Sequence, residues 1–347
     1  MFPFSQRYFT FLMLVCLLSS CQNTYSDQLV ADDPVASFDY LWQDFADHYG
    51  TFQVKNVDWE NLYSIYRPQI NDNSSPTELF DQTVNLLEEL NDSHIYLFDP
   101  ANADLQRNTG VYGERIRADF YDLDLMLIQE KYLSEIIDYQ EDAQVLYGKI
   151  ANNIGYLYLG LMFDNLEYWE QQIEIVLEEL ANTDGLIIDI RDNGGGEDEV
   201  SRLIASYFAT ERQLYMLSRY KIGKTATDFA ETVSWHVEPN GRRSYTQPLV
   251  LLTDRYTISA AETFTLAMRT MPQLTHVGDT TTGAFSDTVN REMPNGWRYG
   301  LPVADVRDAN GESWESLGLP PEVVVIGSPE LLNNGQDVML EKAIDLF

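Results

Sequence analysis

From residue 148 to residue 347, apolar segments of strand length alternate with amphipathic segments of helix length, and this alternation is the strongest constraint on the fold. Strands interleaved with helices form a layered α/β structure. The predicted elements are strand 154–159, helix 166–181, strand 185–190, helix 198–208, strand 213–221, strand 248–252, helix 261–269 and strand 275–277. The sequence therefore predicts an α/β core over residues 148–347.

The part of the chain before this core has helical periodicity. Apolar side chains recur at three- and four-residue spacing over residues 38–49, and a second helix is predicted at 59–66. A third helix is predicted at 76–90, with Ser75 as its N-cap. These segments predict an N-terminal helical bundle subdomain over residues 36–98.

Residues 99–147 lie between the helical subdomain and the core and carry no clear motif. Alternating stretches such as 121–128 predict strands. We therefore expect a small connecting region here.

Two turns between a strand and a helix are candidates for chemistry. In the first, the apolar strand 185–190 runs into the contiguous glycines 194–196. Glycines at this position free backbone N–H groups to point at an anion or at a developing oxyanion. The acidic residues 197–199 would repel phosphate, and the glycines lack the spacing of a dinucleotide-binding loop. A plain tight turn is the alternative interpretation.

The second turn places Ser259 after the apolar strand 248–252 and directly before a predicted helix. The helix N-terminus favours negative charge nearby. A serine at this position is most often only an N-cap, so this turn alone does not identify a nucleophile.

Together, the two turns resemble the paired signature of the tricorn and C-terminal-processing peptidases, family S41. The matching segments are Asp189-Ile-Arg-Asp-Asn-Gly-Gly-Gly196 and Thr257-Ile-Ser-Ala-Ala-Glu262. Weaker similarities lie at 38–59, 278–283 and 314–322, so the resemblance spans nearly all of 36–347. It implies a ClpP/crotonase-like α/β core beside the helical bundle, and no PDZ domain is expected in the short connecting region.

The resemblance implies that Ser259 is the nucleophile of a serine peptidase. C-terminal-processing members use a lysine about two dozen residues later, but no lysine occurs from Thr225 to Glu341. A Ser/Lys dyad in that place is therefore excluded. Peptide or unfolded protein is the expected substrate.

Tricorn-like members instead use the histidine of a Ser-His pair and a late glutamate, which correspond here to His94, Ser93 and Glu315. Histidine titrates near neutral pH and can take the proton of a serine hydroxyl. Ser93 or Glu315, directly or through each other, would orient the imidazole.

The resemblance also assigns supporting roles. The backbone N–H groups of Ala260 and of Gly195, or a neighbouring glycine, would form the oxyanion hole. Glu262 would cap or brace the Ser259 turn. The residues expected to fix the glycine loop by hydrogen bonds and ion pairing are Asp189, Arg191 and Asn193. The other histidines are expected to be structural: His48 on a helix, His236 in a loop and His276 in a strand.

Composition excludes several other functions. The chain has 55 acidic and 22 basic residues and a formal net charge of −33, which repels nucleic acid. No group of His, Cys and acidic residues has metal-ligand spacing, so neither a metal nor another cofactor is expected.

Residues 1–21 resemble a bacterial lipoprotein signal peptide. The apolar run 8–18 follows Arg7 and leads to Leu18-Ser-Ser-Cys21, which is similar to a lipobox whose cysteine is acylated. An ordinary signal peptide is the alternative. Residues 22–35 are polar and predict a tether. We therefore expect a membrane anchor at Cys21 in the bacterial cell envelope, facing the periplasm, and Gln22 favours the outer membrane.

Two classes of function follow from these residues. One is an active serine peptidase, and the other is a catalytically inactive relative that binds an apolar ligand or a peptide, because fold alone does not fix activity. The complete set of candidate residues favours the peptidase. An α/β hydrolase acting on esters is disfavoured, since no Gly-x-Ser-x-Gly turn surrounds Ser259.

Overall fold

The computed structural model describes residues 33–118, 123–240 and 244–347. The signal peptide, Cys21 and most of the tether therefore lie outside the described residues. The helices before the core are α1 Pro34–His48, α2 Phe52–Lys55, α3 Trp59–Tyr66, α4 Pro76–Glu88, α5 Gly110–Ala118 and α6 Leu125–Leu127, which continues into a π-helix, Ile128–Tyr132. The later helices are α7 Leu166–Glu179, α8 Asp198–Ser206, α9 Ala260–Met268, α10 Pro329–Asn333 and α11 Val338–Ile344. Short 3₁₀ turns lie at Arg67–Gln69 and Ala151–Asn153.

The strands form three sheets. In chain order they are β1 Tyr96–Asp99, β2 Asn102–Asn108, β3 Leu133–Gln140, β4 Val145–Ile150, β5 Ile154–Leu159, β6 Gly185–Asp189, β7 Gln213–Tyr220, β8 Val233–Val237, β9 Leu249–Thr253, β10 Leu274–Gly278, β11 Thr288–Glu292, β12 Arg298–Pro302, β13 Ala304–Asp308 and β14 Val323–Val324.

The seven-stranded sheet has the order β14-β10-β9-β6-β5-β4-β3 and is the centre of the fold. Its strands from β14 to β5 are parallel, whereas β4 and β3 pair antiparallel at one edge. Helices α7, α8 and α9 pack on one face, and α11 packs on the other. Because helices cover both faces, every residue of β5, β6 and β9 is buried and most of them are apolar.

The N-terminal helices cover a second, four-stranded sheet with the order β11-β12-β1-β2. Phe38, Phe45 and Trp59 from α1 and α3 share one core with Tyr299 and Leu301 of β12. Half of this sheet therefore comes from the C-terminal part of the chain. Contacts between strands so far apart in the sequence have no local signal, so the sequence did not predict them.

Helix starts follow the capping chemistry of the sequence. Ser75 and Glu78 form a reciprocal capping box ahead of Pro76, at the predicted N-cap of α4. Asp124 likewise accepts a hydrogen bond from the amide of Leu127 over 3.0 Å and begins α6. The strand predicted over 121–128 is therefore wrong at residues 125–128, which are helical.

The third sheet, β13-β7-β8, lies beside α8. His236 is in β8 and not in the predicted loop. His276 lies in β10, as predicted, and is fully buried. The turns that follow β6 and β9 lie at the carboxyl ends of neighbouring parallel strands, the edge where α/β sheets bind ligands.

Candidate active site

Ser259 joins β9 to α9 in a backbone conformation that few residues other than glycine adopt. Its φ is 63° and its ψ is −126°, and the residue is only half-buried. The Ser259 amide donates to the carbonyl of Ala284 and to Oε2 of Glu262, each over 3.2 Å. Such a conformation costs roughly 1–3 kcal/mol and persists only where the surroundings enforce it. The surroundings therefore hold Ser259 in this conformation directly before the first residue of α9.

Glu262 lies fully buried beneath this turn and accepts hydrogen bonds from neutral donors. Its carboxylate is 2.5 Å from Oγ1 of Thr281, 2.7 Å from the amide of Gly283 and 2.8 Å from the amide of Ala284. Burial raises the pKa of Glu262 to about 7, although these hydrogen bonds act in the opposite direction. The side chain thus ties the Ser259 turn to the segment 281–284.

Arg191 fixes the glycine loop from beneath. Its fully buried guanidinium is 2.6 Å from Oδ2 of Asp189 and 2.8 Å from Oδ1 of Asp337. Asn193 donates from Nδ2 to the carbonyl of Leu159 over 2.7 Å. Asp337, at the N-cap of α11, is the second carboxylate that pairs with Arg191. The sequence did not indicate it, because it lies 146 positions from Arg191.

Gly195 brings the glycine loop against the Ser259 turn. A Cβ at Gly195 would lie 2.7 Å from Cβ of Ser259 and 2.8 Å from the carbonyl oxygen of Ile258, and its φ is +88°. Any side chain here would have to displace the Ser259 turn. The two turns that the resemblance paired are therefore in direct contact.

Two predicted oxyanion donors have protein acceptors in this structure. The amide of Gly195 donates to Oδ1 of Asn193 over 2.8 Å, and that of Gly194 donates to the carbonyl of Gly160 over 3.2 Å. Among the described residues, the amides of Gly196 and Ala260 have no protein acceptor. Ala260 is the first residue of α9, where an N–H lacks an intrahelical partner.

His94 lies in the turn between α4 and β1, fixed chiefly by Asp92. Asp92 accepts from the amide of His94 over 2.9 Å and from the hydroxyl of Tyr49 over 2.7 Å. The carbonyl of His94 packs against Gly300 of β12, where a Cβ would lie at 2.8 Å. Burial lowers the pKa of His94, outweighing the opposing charges of Asp92 and Asp287. A neutral imidazole can accept a proton.

The expected orienting groups do not reach the imidazole of His94. Ser93 Oγ accepts from the amide of Tyr112 over 3.2 Å, and Glu315 Oε2 accepts from the amide of Phe285 over 3.0 Å. Nδ1 of His94 is buried and has no hydrogen-bond partner in the described part of the chain. No hydrogen bond joins His94 to Ser259 there either.

Lys55, which the sequence did not indicate, links Asp92, beside His94, to Glu315 and Ser316. Its Nζ is 3.5 Å from Oδ2 of Asp92, 3.4 Å from Oε1 of Glu315 and 2.7 Å from Oγ of Ser316. The side chain is only 3% exposed. Burial raises the pKa of Glu315 to about 8, together with the charge of Asp92 and against that of Lys55. Nothing in the local sequence distinguishes this lysine from a surface one.

The described residues contain no candidate metal site and no candidate membrane-spanning helix. Within them, no group of three or more His, Cys, Asp or Glu side chains is placed to hold a metal ion. Over the same ranges, no helix has both the length and the apolar character needed to cross a bilayer.

Two protein-family models match this chain. The model of peptidase family S41 matches residues 153–325, and that of the tricorn protease C1 domain matches residues 32–88. A protein from Parabacteroides merdae described as a candidate peptidase has a solved structure that is 31% identical. Its TM-score is 0.78, and the match covers 90% of this chain and 96% of that one.

Curated relatives share shorter segments with this chain. The tricorn protease of Thermoplasma volcanium is 27% identical over 237 residues, which cover 67% of this chain and 20% of that protein. The carboxy-terminal processing protease CtpA of Bacillus subtilis is 30% identical over 139 residues, or 40% of this chain and 28% of that one. This chain thus spans a minor part of those proteins. The predicted α/β fold with its N-terminal helices is confirmed, and the chain belongs to peptidase family S41.

Proposed function

We propose that this protein is a serine peptidase in which Ser259 is the nucleophile and His94 the general base. The observation that carries the proposal is the backbone of Ser259, held at positive φ before α9 and against Gly195. Strain of this kind at a half-buried hydroxyl is typical of a nucleophile that must project from a strand-to-helix turn.

The proposed reaction follows acyl transfer. Ser259 Oγ attacks the peptide carbonyl as His94 takes its proton, and the protonated His94 then delivers that proton to the leaving amine. In the second half of the reaction, His94 takes a proton from water, which attacks the acyl-enzyme. His94 then returns the proton to Ser259 Oγ as the acyl group leaves. The amide of Ala260 would stabilise the oxyanion together with Gly196, or with Gly195 once its amide is released from Asn193.

Glu315 and Ser93 act in this proposal as positioning residues. Glu315 fixes Lys55, which lies beside Asp92, and Asp92 in turn holds the amide of His94. Ser93 ties the same turn to α5 through Tyr112. Both side chains would set where His94 stands relative to Ser259.

A fluorophosphonate probe with intact-mass readout tests this proposal, since the probe reacts with activated serines. The wild type should gain the mass of one phosphonyl group, because the serine oxygen displaces fluoride from the probe. Ser259→Ala should gain none, and His94→Ala should react slower by at least about 100-fold. Ser64→Ala, on the exposed face of α3, is the matched serine control and should label like the wild type. A folded wild type that does not label would contradict the proposal and favour the ligand-binding alternative.

We further propose that Cys21 is acylated and attaches the protein to the bacterial cell envelope, facing the periplasm. The support is the lipobox-like Leu18-Ser-Ser-Cys21 behind an apolar run. Cells fed an alkyne fatty acid should label the wild type but not Cys21→Ala, which should leave the membrane fraction. Equal labelling of both proteins would contradict the proposal.

A further inference from the structure

Lys55 is the last residue of the short helix α2, and its ammonium group reaches the His94 turn. Nζ lies 3.5 Å from Oδ2 of Asp92 and donates to the carbonyl of Asn91 over 3.2 Å. Asp92 in turn accepts from the amide of His94 through its other carboxylate oxygen, Oδ1. A single carboxylate therefore separates the ammonium from the backbone of the proposed base.

The same ammonium also reaches the residues that hold the Ser259 turn. Nζ donates to Oγ of Ser316 over 2.7 Å and lies 3.4 Å from Oε1 of Glu315. The backbone of residues 283–285 is hydrogen-bonded to both Glu315 and Ser316, and its middle carbonyl accepts the amide of Ser259. Lys55 thus lies between the two turns and contacts the supports of each.

Lys55 supplies the charged part of this link alone. Within the described residues, Asp92 and Glu315 form ion pairs only with Lys55, and all three side chains are buried, so solvent screens these contacts little. An ammonium has three donors, of which two go to Ser316 and Asn91 and one remains for the carboxylates. The hydroxyl of Ser316 donates to the carbonyl of Asn91 over 3.2 Å and adds a second, uncharged link.

We propose that Lys55 is a positioning residue that holds the His94 turn at the distance from Ser259 at which the base reaches the hydroxyl. This inference rests on the proposed function and adds to it a residue of the N-terminal helices. A general base must come within hydrogen-bond reach of the group that it activates, and a displacement of about 1 Å can cost about 100-fold in rate. Without the ammonium, Asp92 and Glu315 would repel each other and draw the two turns apart.

The first test is the rate at which the fluorophosphonate labels Lys55→Met, which loses the charge but keeps an unbranched side chain. Folded Lys55→Met should label at least about 30-fold slower than the wild type, because the base is displaced from the hydroxyl. Lys149→Met is the matched control, since Lys149 pairs with Glu135 at the surface, and it should label like the wild type. A rate for Lys55→Met within about 3-fold of the wild type overturns the proposal.

The pKa of His94 distinguishes positioning from a general loss of structure. Burial lowers this pKa most, the charges of Asp92 and Asp287 raise it, and the charge of Lys55 lowers it. NMR of protein with ¹³C-labelled histidine measures the pKa, and His94→Ala identifies the signal. The pKa should rise in Lys55→Met and fall in Asp92→Asn, whereas a loosened fold would not shift it in opposite directions. An unchanged pKa in both variants contradicts the proposal.

The loss of stability expected on removing a buried cation can prevent Lys55→Met from folding. Asp92→Asn then replaces it in the labelling assay, because it cuts the same link on the His94 side and leaves Lys55 paired with Glu315. It should label at least about 10-fold slower than the wild type, and a rate within about 3-fold overturns the role of Lys55. The peptidase proposal survives that outcome as long as the wild type labels at Ser259. A folded wild type that does not label overturns both proposals.

Discussion

The Ser259 turn and the His94 turn both rest on a buried carboxylate, but the two carboxylates are compensated in different ways. Glu262 accepts only neutral N–H and O–H donors, which come from its own turn and from the segment 281–284. Asp92 lies beside the ammonium of Lys55, which in turn faces Glu315. One turn is therefore held by hydrogen bonds within the core, and the other by ion pairs between distant parts of the chain.

Because of this difference, the pKa values of Glu262 and Asp92 shift in opposite directions. Hydrogen bonds from neutral donors do not offset the burial of Glu262, so its pKa is raised. For Asp92, burial also acts to raise the pKa, but Lys55, His94 and the hydroxyl of Tyr49 together hold it below its ordinary value. The Ser259 turn should thus respond to pH, and the His94 turn should respond to loss of one cation.

Lys55→Met should give the largest loss of stability. Removal of the ammonium leaves Asp92 and Glu315 buried without a cation, and breaking such a group typically costs about 3–5 kcal/mol. Urea unfolding of wild type and variant measures the difference. Lys149→Met is the control, because Lys149 pairs with Glu135 at the surface over 3.3 Å and should cost less than about 1 kcal/mol.

Glu315→Gln in the Lys55→Met background tests the ionic link between Lys55 and Glu315. Unfolding is measured at pH 9, above the pKa of about 8 of Glu315, so that this side chain is ionised in the wild type. Loss of Lys55 leaves it uncompensated, and Glu315→Gln should therefore restore part of the stability that Lys55→Met loses. Additive losses in this double-mutant cycle would contradict an ionic link between the two residues.

Glu262→Gln tests the pH dependence of the Ser259 turn. The pKa of Glu262 is raised from 4.5 to about 7 on folding, so its contribution to stability is fully present below the unfolded value and is lost as pH rises through the folded one. Glutamine does not titrate. The stability advantage of the wild type over Glu262→Gln should therefore be about 3 kcal/mol larger near pH 4 than near pH 8. A constant difference across this range would contradict the raised pKa.

The sequence predicted the contacts of the Ser259 turn better than those of the His94 turn for a physical reason. Ser259, Gly195 and Glu262 lie in short segments whose strand, turn and helix signals are local, and the structure brings these segments together. Lys55 and Asp337 act across long sequence separations, where no periodicity or spacing indicates a partner. The same limit applies to β11 and β12, which leave the core to pair with β1.

Ser259→Gly tests the backbone strain at position 259. Alanine at φ 63° keeps the steric cost of a Cβ, and glycine removes it. Ser259→Gly should therefore be more stable than Ser259→Ala by roughly 1 kcal/mol in thermal unfolding, although neither variant can label. Equal stability would mean that the conformation is not strained, and would weaken the argument for a functional turn.

Ser93→Ala should have the smallest effect and decides how the His94 turn works. In this structure Ser93 Oγ accepts from the amide of Tyr112 and has no hydrogen bond to the imidazole. Loss of that bond should cost about 1 kcal/mol of stability. Because Ser93 acts here only through the position of the turn, fluorophosphonate labelling should stay within about 10-fold of the wild type, against about 100-fold or more for His94→Ala. Thr109→Val, which removes a hydroxyl that donates to the carbonyl of Asp92, is the matched control for a purely structural loss. A 100-fold fall in Ser93→Ala with normal stability would contradict the expectation, and would mean that Ser93 turns toward His94 when substrate binds and orients the imidazole directly.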